Sequence, residues 1–197
     1  MNVSDWASRT TGVVAWCLLA KDDRDVRTQA RGEFEQVADG QLVGTTQGAR
    51  TALNDEGFSS VSVMPHVIFW SSLYDGFRRT MGATPKAGID REFQVNPGKP
   101  EQFIDAALQL VQDGADMLLL EPTMFTADVL THLKQHTRAP LFPFSVSGEY
   151  TALSSLDAKT GKRDVRRLIE LFTMLKRAGA EASVTYAALE IARQLSG

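Results

Sequence analysis

Apolar residues recur along this chain at two alternating spacings, one typical of amphipathic helices and one typical of buried strands. Stripes at helical spacing, with charged residues on the far side, predict helices over 103–111 and 165–175. Weaker patterns predict helices over 26–37 and 127–136. Short runs that are apolar on both faces lie between the helices, as expected of buried parallel strands. The predicted strands are 12–20, 60–68, 117–120, 139–146 and 184–186.

Glycine separates helix from strand at three of these junctions. Gly57, Gly114 and Gly179 each follow a helical pattern and precede an apolar run, as a left-handed residue at a helix end does. Strands that alternate with helices predict an α/β fold with a parallel sheet. In such folds the chemistry collects where the strands end. The predicted strand ends are Glu121-Pro122, Ser147-Gly148-Glu149-Tyr150, Tyr186 and the segment from His66 to Trp70.

The length and the charge narrow the class of protein. The chain has 197 residues, of which 43% are hydrophobic and 23% charged, which suits a single globular domain. A complete eight-fold β/α barrel takes about 250 residues, with about 200 as the floor. The net charge of −3 argues against a surface for nucleic acid or for an anionic membrane. Cys17 is the only cysteine, which excludes a disulfide framework and favours a cytoplasmic setting.

No apolar run reaches the length of a membrane-spanning helix. The run Gly12–Ala20 is followed by charged residues rather than by a small-residue cleavage site, so we predict a strand there and no signal peptide.

Five segments, in order along the chain, carry a resemblance to a known family. They are Leu73–Arg78, Phe93–Pro97, Gly114–Thr123, Phe144–Tyr150 and Lys176–Tyr186. Their sequences and intervals resemble porphobilinogen synthase, also called δ-aminolevulinic acid dehydratase, from about Ala49 to Gln194. That family is a (β/α)8 barrel that condenses two aminolevulinate molecules in tetrapyrrole biosynthesis. The resemblance implies a truncated (β/α)8-barrel-like fold, with a mostly parallel sheet of about five strands flanked by helices.

The resemblance also implies a loss of the family's chemistry. Family members form Schiff bases between two lysines and the substrate ketones, which requires neutral amines in a desolvated site. Here Ile68 takes the position of the first lysine and Glu121 that of the second. The seven lysines of the chain fall in loops or on polar helix faces. Since neither isoleucine nor glutamate can form an imine, we predict that the family reaction is absent.

The residues that the resemblance implies for substrate binding are retained in this chain, unlike the two lysines. By resemblance, Ser147 and Tyr186 would hydrogen-bond one substrate carboxylate, and Arg78 and Gln94 would hold the other. A further family arginine falls at Asp90, with Arg91 one residue on. An alternative stays open for this set, because a hydroxyl at a strand end can simply cap a helix and a tyrosine there can belong to a core or an interface.

The front of the family's barrel is reduced in this chain. Residues 13–19 resemble a metal-binding strand with Cys17 at one ligand position and Leu19 at the next, and one thiol builds no zinc site. We therefore expect no metal and no cofactor. We predict one domain over 1–197, with 1–48 a divergent remnant and 49–197 the family-like part. A partial barrel exposes sheet edges and an apolar face, which favours self-association or pairing with a full-length relative.

Three hypotheses follow for function. The first is a non-catalytic ligand-binding, regulatory or partner protein that takes a small carboxylate such as aminolevulinate. The second is a repurposed lyase or dehydratase that acts on a small keto acid, with Glu121 as general acid/base and Glu149, Tyr150 or His66 as its partner. Against it stands the alternative that Glu121 only satisfies backbone N–H groups at a helix start. The third is an interaction module without a ligand, on which His132 and His136 form a solvated face.

Overall fold

The structure, a computed structural model, describes residues 45–81 and 94–195. Within these ranges the chain forms two compact units, one of residues 45–65 and 110–117, the other of residues 66–81, 94–109 and 118–195. The strand predicted at 12–20 and the helix predicted at 26–37 lie outside the described residues, as do Cys17 and the Asp90-Arg91 pair.

The first unit is organised around one arginine. Helix α1 (Thr45–Asp55) carries Arg50, whose guanidinium donates to the carbonyl oxygens of Val61 at 3.0 Å and of Gly114 at 3.3 Å. Arg50 also pairs with the Asp116 carboxylate, which accepts the backbone N–H of Val63 at 2.7 Å. These bonds tie the segment after α1 to the segment around Gly114.

The same contacts correct the predicted strand over 60–68, which is a strand only from His66 to Ile68. The N–H of Val63 is used by the side chain of Asp116 rather than by a neighbouring strand. Pro65 has no N–H to donate. Regular pairing therefore begins one residue after the proline.

The second unit holds the sheet. Its strands are β1 (His66–Ile68), β2 (Leu118–Glu121), β3 (Leu141–Ser145), β4 (Ser155–Leu156), β5 (Arg163–Asp164) and β6 (Val184–Thr185). Its helices are α2 (Asp75–Met81), α3 (Pro100–Gln112, which ends in the first unit), α4 (Ala127–His136), α5 (Ser147–Leu153), α6 (Arg166–Ala178) and α7 (Ala188–Leu195), with 3-10 helices at Ser72–Tyr74 and Thr123–Phe125.

The main sheet has four parallel strands in the order β1-β2-β3-β6. Because side chains alternate across a strand, its residues fall into two sets. One set is buried and includes Val67, Leu118, Leu120 and Leu141, none more than 4% exposed. The other set, which we call the open face, is only partly covered. The open face consists of His66, Ile68, Leu119, Glu121, Phe142, Phe144 and Val184.

The core of this unit lies on the buried side of the sheet. Phe69, at the end of β1, stacks on Phe103 of α3 with ring centroids 4.1 Å apart. Helix α4 contributes Leu130 and Leu133, and α6 contributes Leu168 and Leu175; all four are fully buried. The stripes that predicted helices over 103–111 and 165–175 therefore do face the core.

The predicted fold class is confirmed, with four of the five predicted strands among the described residues. The helix predicted at 127–136 has those bounds in the structure. Gly57, Gly114 and Gly179 have the predicted left-handed backbone, with φ of 82°, 98° and 120°. The antiparallel hairpin β4–β5 was not predicted, because its two-residue strands, one exposed and one half-buried, carry no periodic signal.

Across the described residues no helix is both long enough and apolar enough to cross a membrane.

Candidate functional site

Glu121 closes β2 at its carboxyl end and is 5% exposed. Its Cα partner on β1 is Ile68, and its Oε1 lies 2.5 Å from Nδ1 of His66, two residues earlier on β1 and on the same open face. This oxygen has no well-aligned hydrogen bond among the described residues, so the imidazole is close to it in distance but rotated out of line. The two side chains form a buried carboxylate beside a half-exposed imidazole.

Tyr74 ends the 3-10 helix that follows β1. Its hydroxyl oxygen is buried and makes no well-aligned hydrogen bond among the described residues, although the Glu121 carboxylate lies within hydrogen-bonding reach. Burial, and then the negative charges of Glu121 and Glu149, raise the pKa of Tyr74 far above its usual range, while Arg78 lowers it. The hydroxyl therefore keeps its proton at every physiological pH.

Arg78 lies on α2, one turn after Tyr74. Its guanidinium carbon is 5.0 Å from the centroid of the Tyr74 ring, a cation–π arrangement. The side chain is 12% exposed, and its nearest carboxylate contact, to Asp75, is a long 3.9 Å. A mostly buried guanidinium with so loose a partner can still take up an anion.

Glu149 is fully buried at the third position of α5. Its Oε1 accepts from the Thr123 hydroxyl at 2.8 Å and from the Met124 N–H at 2.6 Å. Its Oε2 accepts from the N–H groups of Thr123 at 3.1 Å and of Val146 at 2.9 Å. Burial raises the pKa of Glu149, and these hydrogen bonds oppose that rise. The carboxylate thus ties the loop after β2 to the start of α5.

Gly148 brings a second loop to the same place. A Cβ at Gly148 would overlap the backbone carbonyl of Leu73, so only glycine lets the 3-10 helix Ser72–Tyr74 pack on the first turn of α5. The sequence Ser147-Gly148-Glu149 therefore positions Tyr74 on one side and the loop after β2 on the other.

Gln94 is held beside β1 by the backbone pairing of the next residue, Val95. Val95 donates its N–H to the Ile68 carbonyl and accepts from the Trp70 N–H, both at 2.8 Å, which adds a bridge beside β1. The Oε1 of Gln94 is buried and has no hydrogen-bond partner among the described residues.

Ser147 and Tyr186 follow the ends of the neighbouring strands β3 and β6. Ser147 opens α5 and is half-buried. Tyr186 is 53% exposed, with its ring centroid 5.9 Å from that of Phe144 and 6.1 Å from that of Tyr150. All six predicted site residues thus stand at or after carboxyl ends of the parallel sheet, and Arg78, Glu121 and Glu149 converge on Tyr74.

Tyr74 and Thr123 were not predicted as members of this site. Tyr74 lies in the segment Leu73–Arg78, four residues before Arg78. This helical spacing was the sequence signal that could have placed Tyr74 beside Arg78. Thr123 directly follows the strand end Glu121-Pro122. Its hydrogen bond to Glu149, 26 positions further along the chain, could not be predicted from the residues around Thr123.

The described residues contain no group of three histidine, cysteine or acidic side chains that could hold a metal ion. His132 and His136 stack on α4 with centroids 4.3 Å apart, and both are exposed. The lysines of the described part, Lys99, Lys134, Lys159, Lys162 and Lys176, are all exposed and lie outside the strands. Lys21 and Lys86 fall outside the described residues.

Three comparisons with known proteins agree. The family model for delta-aminolevulinic acid dehydratase matches residues 27–194. The chloroplastic delta-aminolevulinic acid dehydratase of Pisum sativum is 32% identical over 171 residues, which cover 86% of this chain and 43% of the relative. The enzyme of that name from Bacillus subtilis is 29% identical over 171 residues, covering 86% of this chain and 53% of the relative. The chain thus spans about half the length of the curated relatives it matches.

A solved structure matches at the level of the fold. The Toxoplasma gondii delta-aminolevulinic acid dehydratase, in complex with its reaction product porphobilinogen, has a TM-score of 0.67 and 27% identity. The match covers 77% of this chain and 44% of that one.

Proposed function

Because the chain belongs to the delta-aminolevulinic acid dehydratase family, we propose that it is a member without Schiff-base chemistry, which binds a small carboxylate such as aminolevulinate or porphobilinogen non-covalently. The observation that carries this proposal is the pairing of Ile68 with Glu121. These two residues, which the sequence resemblance puts in place of the two lysines, are direct partners on adjacent strands. Neither side chain can attack a ketone.

The binding half of the proposal is supported by the site's unused polar groups. Arg78 is mostly buried and its contact to the Asp75 carboxylate is long, Gln94 Oε1 is buried without a hydrogen-bond partner among the described residues, and the buried Tyr74 hydroxyl makes no well-aligned hydrogen bond there. Buried polar groups without partners cost folding free energy, so they are expected where a ligand or ordered water completes them. A carboxylate would pair with Arg78, and a ligand hydroxyl or amine would pair with Gln94.

The biological role proposed with it is regulation or partnership within tetrapyrrole biosynthesis, in the cytoplasm. The partial cover of the open face supports self-association, or pairing with a full-length relative. On this face Val184 is 38% exposed, and Tyr186, two residues further along the chain, is 53% exposed.

One experiment tests the chemistry and another tests the binding. The purified chain is mixed with aminolevulinate and borohydride, which fixes any imine, and its intact mass is measured. We expect no gain in mass, while the Bacillus subtilis relative serves as the positive control. A mass gain on this chain would show a working lysine and end the first half of the proposal.

Calorimetry with aminolevulinate and with porphobilinogen addresses the second half. We expect at least one of them to bind, and we expect Arg78→Ala to abolish the heat of binding. Arg79→Ala is the matched control, because Arg79 is the exposed next residue of the same helix. Absence of binding for both compounds, or equal binding by the Arg78→Ala variant, would refute ligand binding at this site.

A second candidate function is a repurposed lyase or dehydratase that acts on a small keto acid with Glu121 as general acid/base. The observation in its favour is the contact between the buried Glu121 carboxylate and His66. A turnover screen with small keto acids tests it, and Glu121→Gln should abolish any turnover found. Glu149, also predicted as catalytic, is fully engaged by four donors, which supports a positioning role instead.

A further inference from the structure

We propose that His66 is the reacting base of this site, that Glu121 is its positioning residue, and that the substrate class is small carboxylates with an acidic C–H next to a ketone. This inference rests on the proposed binding of a small carboxylate. It exchanges the roles of the two residues in the second candidate function and names the proton that moves.

Exposure decides which of the two side chains can meet a substrate. The His66 side chain is 43% exposed, and that of Glu121 is 6% exposed. The carboxylate sits behind the imidazole, at the end of the neighbouring strand. A ligand on the open face therefore meets the ring before it meets the carboxylate.

The contact between them decides which ring nitrogen is available. Nδ1 of His66 faces Glu121 Oε1 at 2.5 Å, which leaves Nε2 as the nitrogen that can take a proton from a ligand. A buried carboxylate against one imidazole nitrogen holds the tautomer that makes the other nitrogen basic. The present misalignment of the ring fits this assignment, since catalytic hydrogen bonds often tighten only when substrate binds.

Neighbouring groups help to position Glu121 beside the imidazole. The Tyr74 hydroxyl lies within hydrogen-bonding reach of Glu121 and keeps its proton, because burial and the two carboxylates raise its pKa, so it is a donor that can hold the Glu121 carboxylate in place. Glu149 is held by its four donors and does not compete for His66. Of these groups, the imidazole is the one that is exposed enough to meet a ligand.

The lining of the open face indicates the substrate. His66 stands beside Ile68 on β1, and Phe144 lies further across the sheet, which suits a short apolar chain. Arg78 offers a cation for a carboxylate, because its guanidinium stacks on Tyr74, whose hydroxyl lies near Glu121. A small keto acid meets both requirements.

The chemical step is a reversible enolisation. Nε2 of His66 takes a proton from the carbon next to the ketone, and the C–H electron pair forms the enolate. The imidazolium then returns a proton to that carbon, so neither an oxidant nor a co-reactant is consumed. In D2O the returned atom is deuterium, because the imidazolium exchanges with the solvent.

Exchange of levulinate protons in D2O, followed by 1H NMR, tests the step directly. We expect the wild-type chain to speed the loss of the signals next to the ketone above the buffer rate. His66→Gln should remove the acceleration, and Glu121→Gln should lower it by about 10²-fold or more, within the usual 10²–10⁴-fold contribution of general-base catalysis. His132→Gln, at an exposed histidine of α4, is the matched control and should exchange like wild type.

A second readout is independent of turnover. In 15N NMR of the wild type, His66 should carry its proton on Nδ1, and this preference should disappear in Glu121→Gln. A merely structural role for Glu121 would leave the tautomer unchanged.

Three outcomes would overturn the inference. They are acceleration that survives His66→Gln, whether or not it depends on Glu121, a His66 proton on Nε2, and levulinate binding by calorimetry without faster exchange. The last outcome leaves the proposed carboxylate binding intact. Absence of binding for levulinate, aminolevulinate and porphobilinogen refutes both together.

Discussion

Replacing Glu149 with glutamine tests whether this buried carboxylate holds the site together. The change keeps the shape of the side chain but turns one oxygen into an NH2 group, which cannot accept. Each oxygen now accepts from two donors. If the amide nitrogen takes the Oε2 position, the N–H groups of both Thr123 and Val146 lose their acceptor. If it takes the Oε1 position, the Thr123 hydroxyl can turn and accept, and only the Met124 N–H is left unpaired.

The variant should adopt the second orientation, which leaves one buried N–H unsatisfied. Such a group costs about 1–3 kcal/mol. Since burial raises the pKa of Glu149, charging it in the folded state carries a cost that glutamine avoids, so we expect the lower part of that range, about 1–2 kcal/mol. Glu149→Ala frees all four donors and leaves a cavity, and should cost about 3 kcal/mol or more.

Urea denaturation followed by circular dichroism gives the free energy of unfolding. Glu170→Gln, on the exposed side of α6, is the control and should stay within about 0.5 kcal/mol of wild type.

The contribution of Glu149 to stability should depend on pH, and the direction of the raised pKa fixes the sign of that dependence. A carboxyl with a raised folded pKa contributes most to stability below its unfolded pKa and loses that contribution as pH rises through the folded pKa. The deficit of Glu149→Gln should therefore be larger near pH 4 than near pH 7. Equal stability of the Glu149→Gln variant and the control would refute the view that the Glu149 carboxylate holds the loop after β2 to the start of α5.

Three further predictions follow from single contacts. Gly148→Ala should cost about 1–3 kcal/mol of unfolding free energy in urea, because the new Cβ meets a backbone carbonyl; Gly76→Ala, a helical glycine with open space around it, should be neutral or stabilising. Tyr74→Phe should lower the unfolding free energy of the ligand-free chain by no more than about 1 kcal/mol, since the hydroxyl makes no well-aligned hydrogen bond among the described residues, while calorimetry should show weaker aminolevulinate binding. In an NMR titration Asp164 should show a pKa of about 2, and Arg166→Gln should move it up toward the ordinary value; the stability this carboxylate contributes is present above its unfolded pKa and is lost as pH falls toward 2.

The sequence pattern predicted the elements whose structure depends on nearby residues. Helix α4 and the ends marked by Gly114 and Gly179 follow from periodicity and from backbone preferences, both of which are local. The start of β1 does not, because the N–H of Val63 is taken by Asp116, 53 positions further along the chain. Such a side-chain acceptor leaves no periodic mark.

The site likewise combines features that local sequence predicts with contacts that depend on distant residues. The place of Glu121, Ser147 and Glu149 at or just after strand ends follows from the apolar runs that precede them, and parallel strands bring their carboxyl ends to one edge. What each carboxylate does there depends on distant partners. One alternative for Glu121 was that it only meets backbone N–H groups at a helix start, but it is Glu149 that accepts from such groups, through residues about 25 positions earlier. Glu121 is left facing an imidazole, a contact that requires the register of β1 against β2.

The open face links ligand binding to association, and this link can be measured. His66 belongs to that face and Tyr186 adjoins it, so a second copy docked there would cover the same groups that a ligand needs. By linkage, each event then changes the affinity of the other by the same factor. We expect sedimentation velocity to show a shift in self-association when aminolevulinate is added. Val184→Glu, a charge placed at an exposed position of the face, should weaken association, whereas Leu156→Glu, at a more exposed position on β4, should not. Association that is insensitive to the ligand and to Val184→Glu would show that copies meet elsewhere.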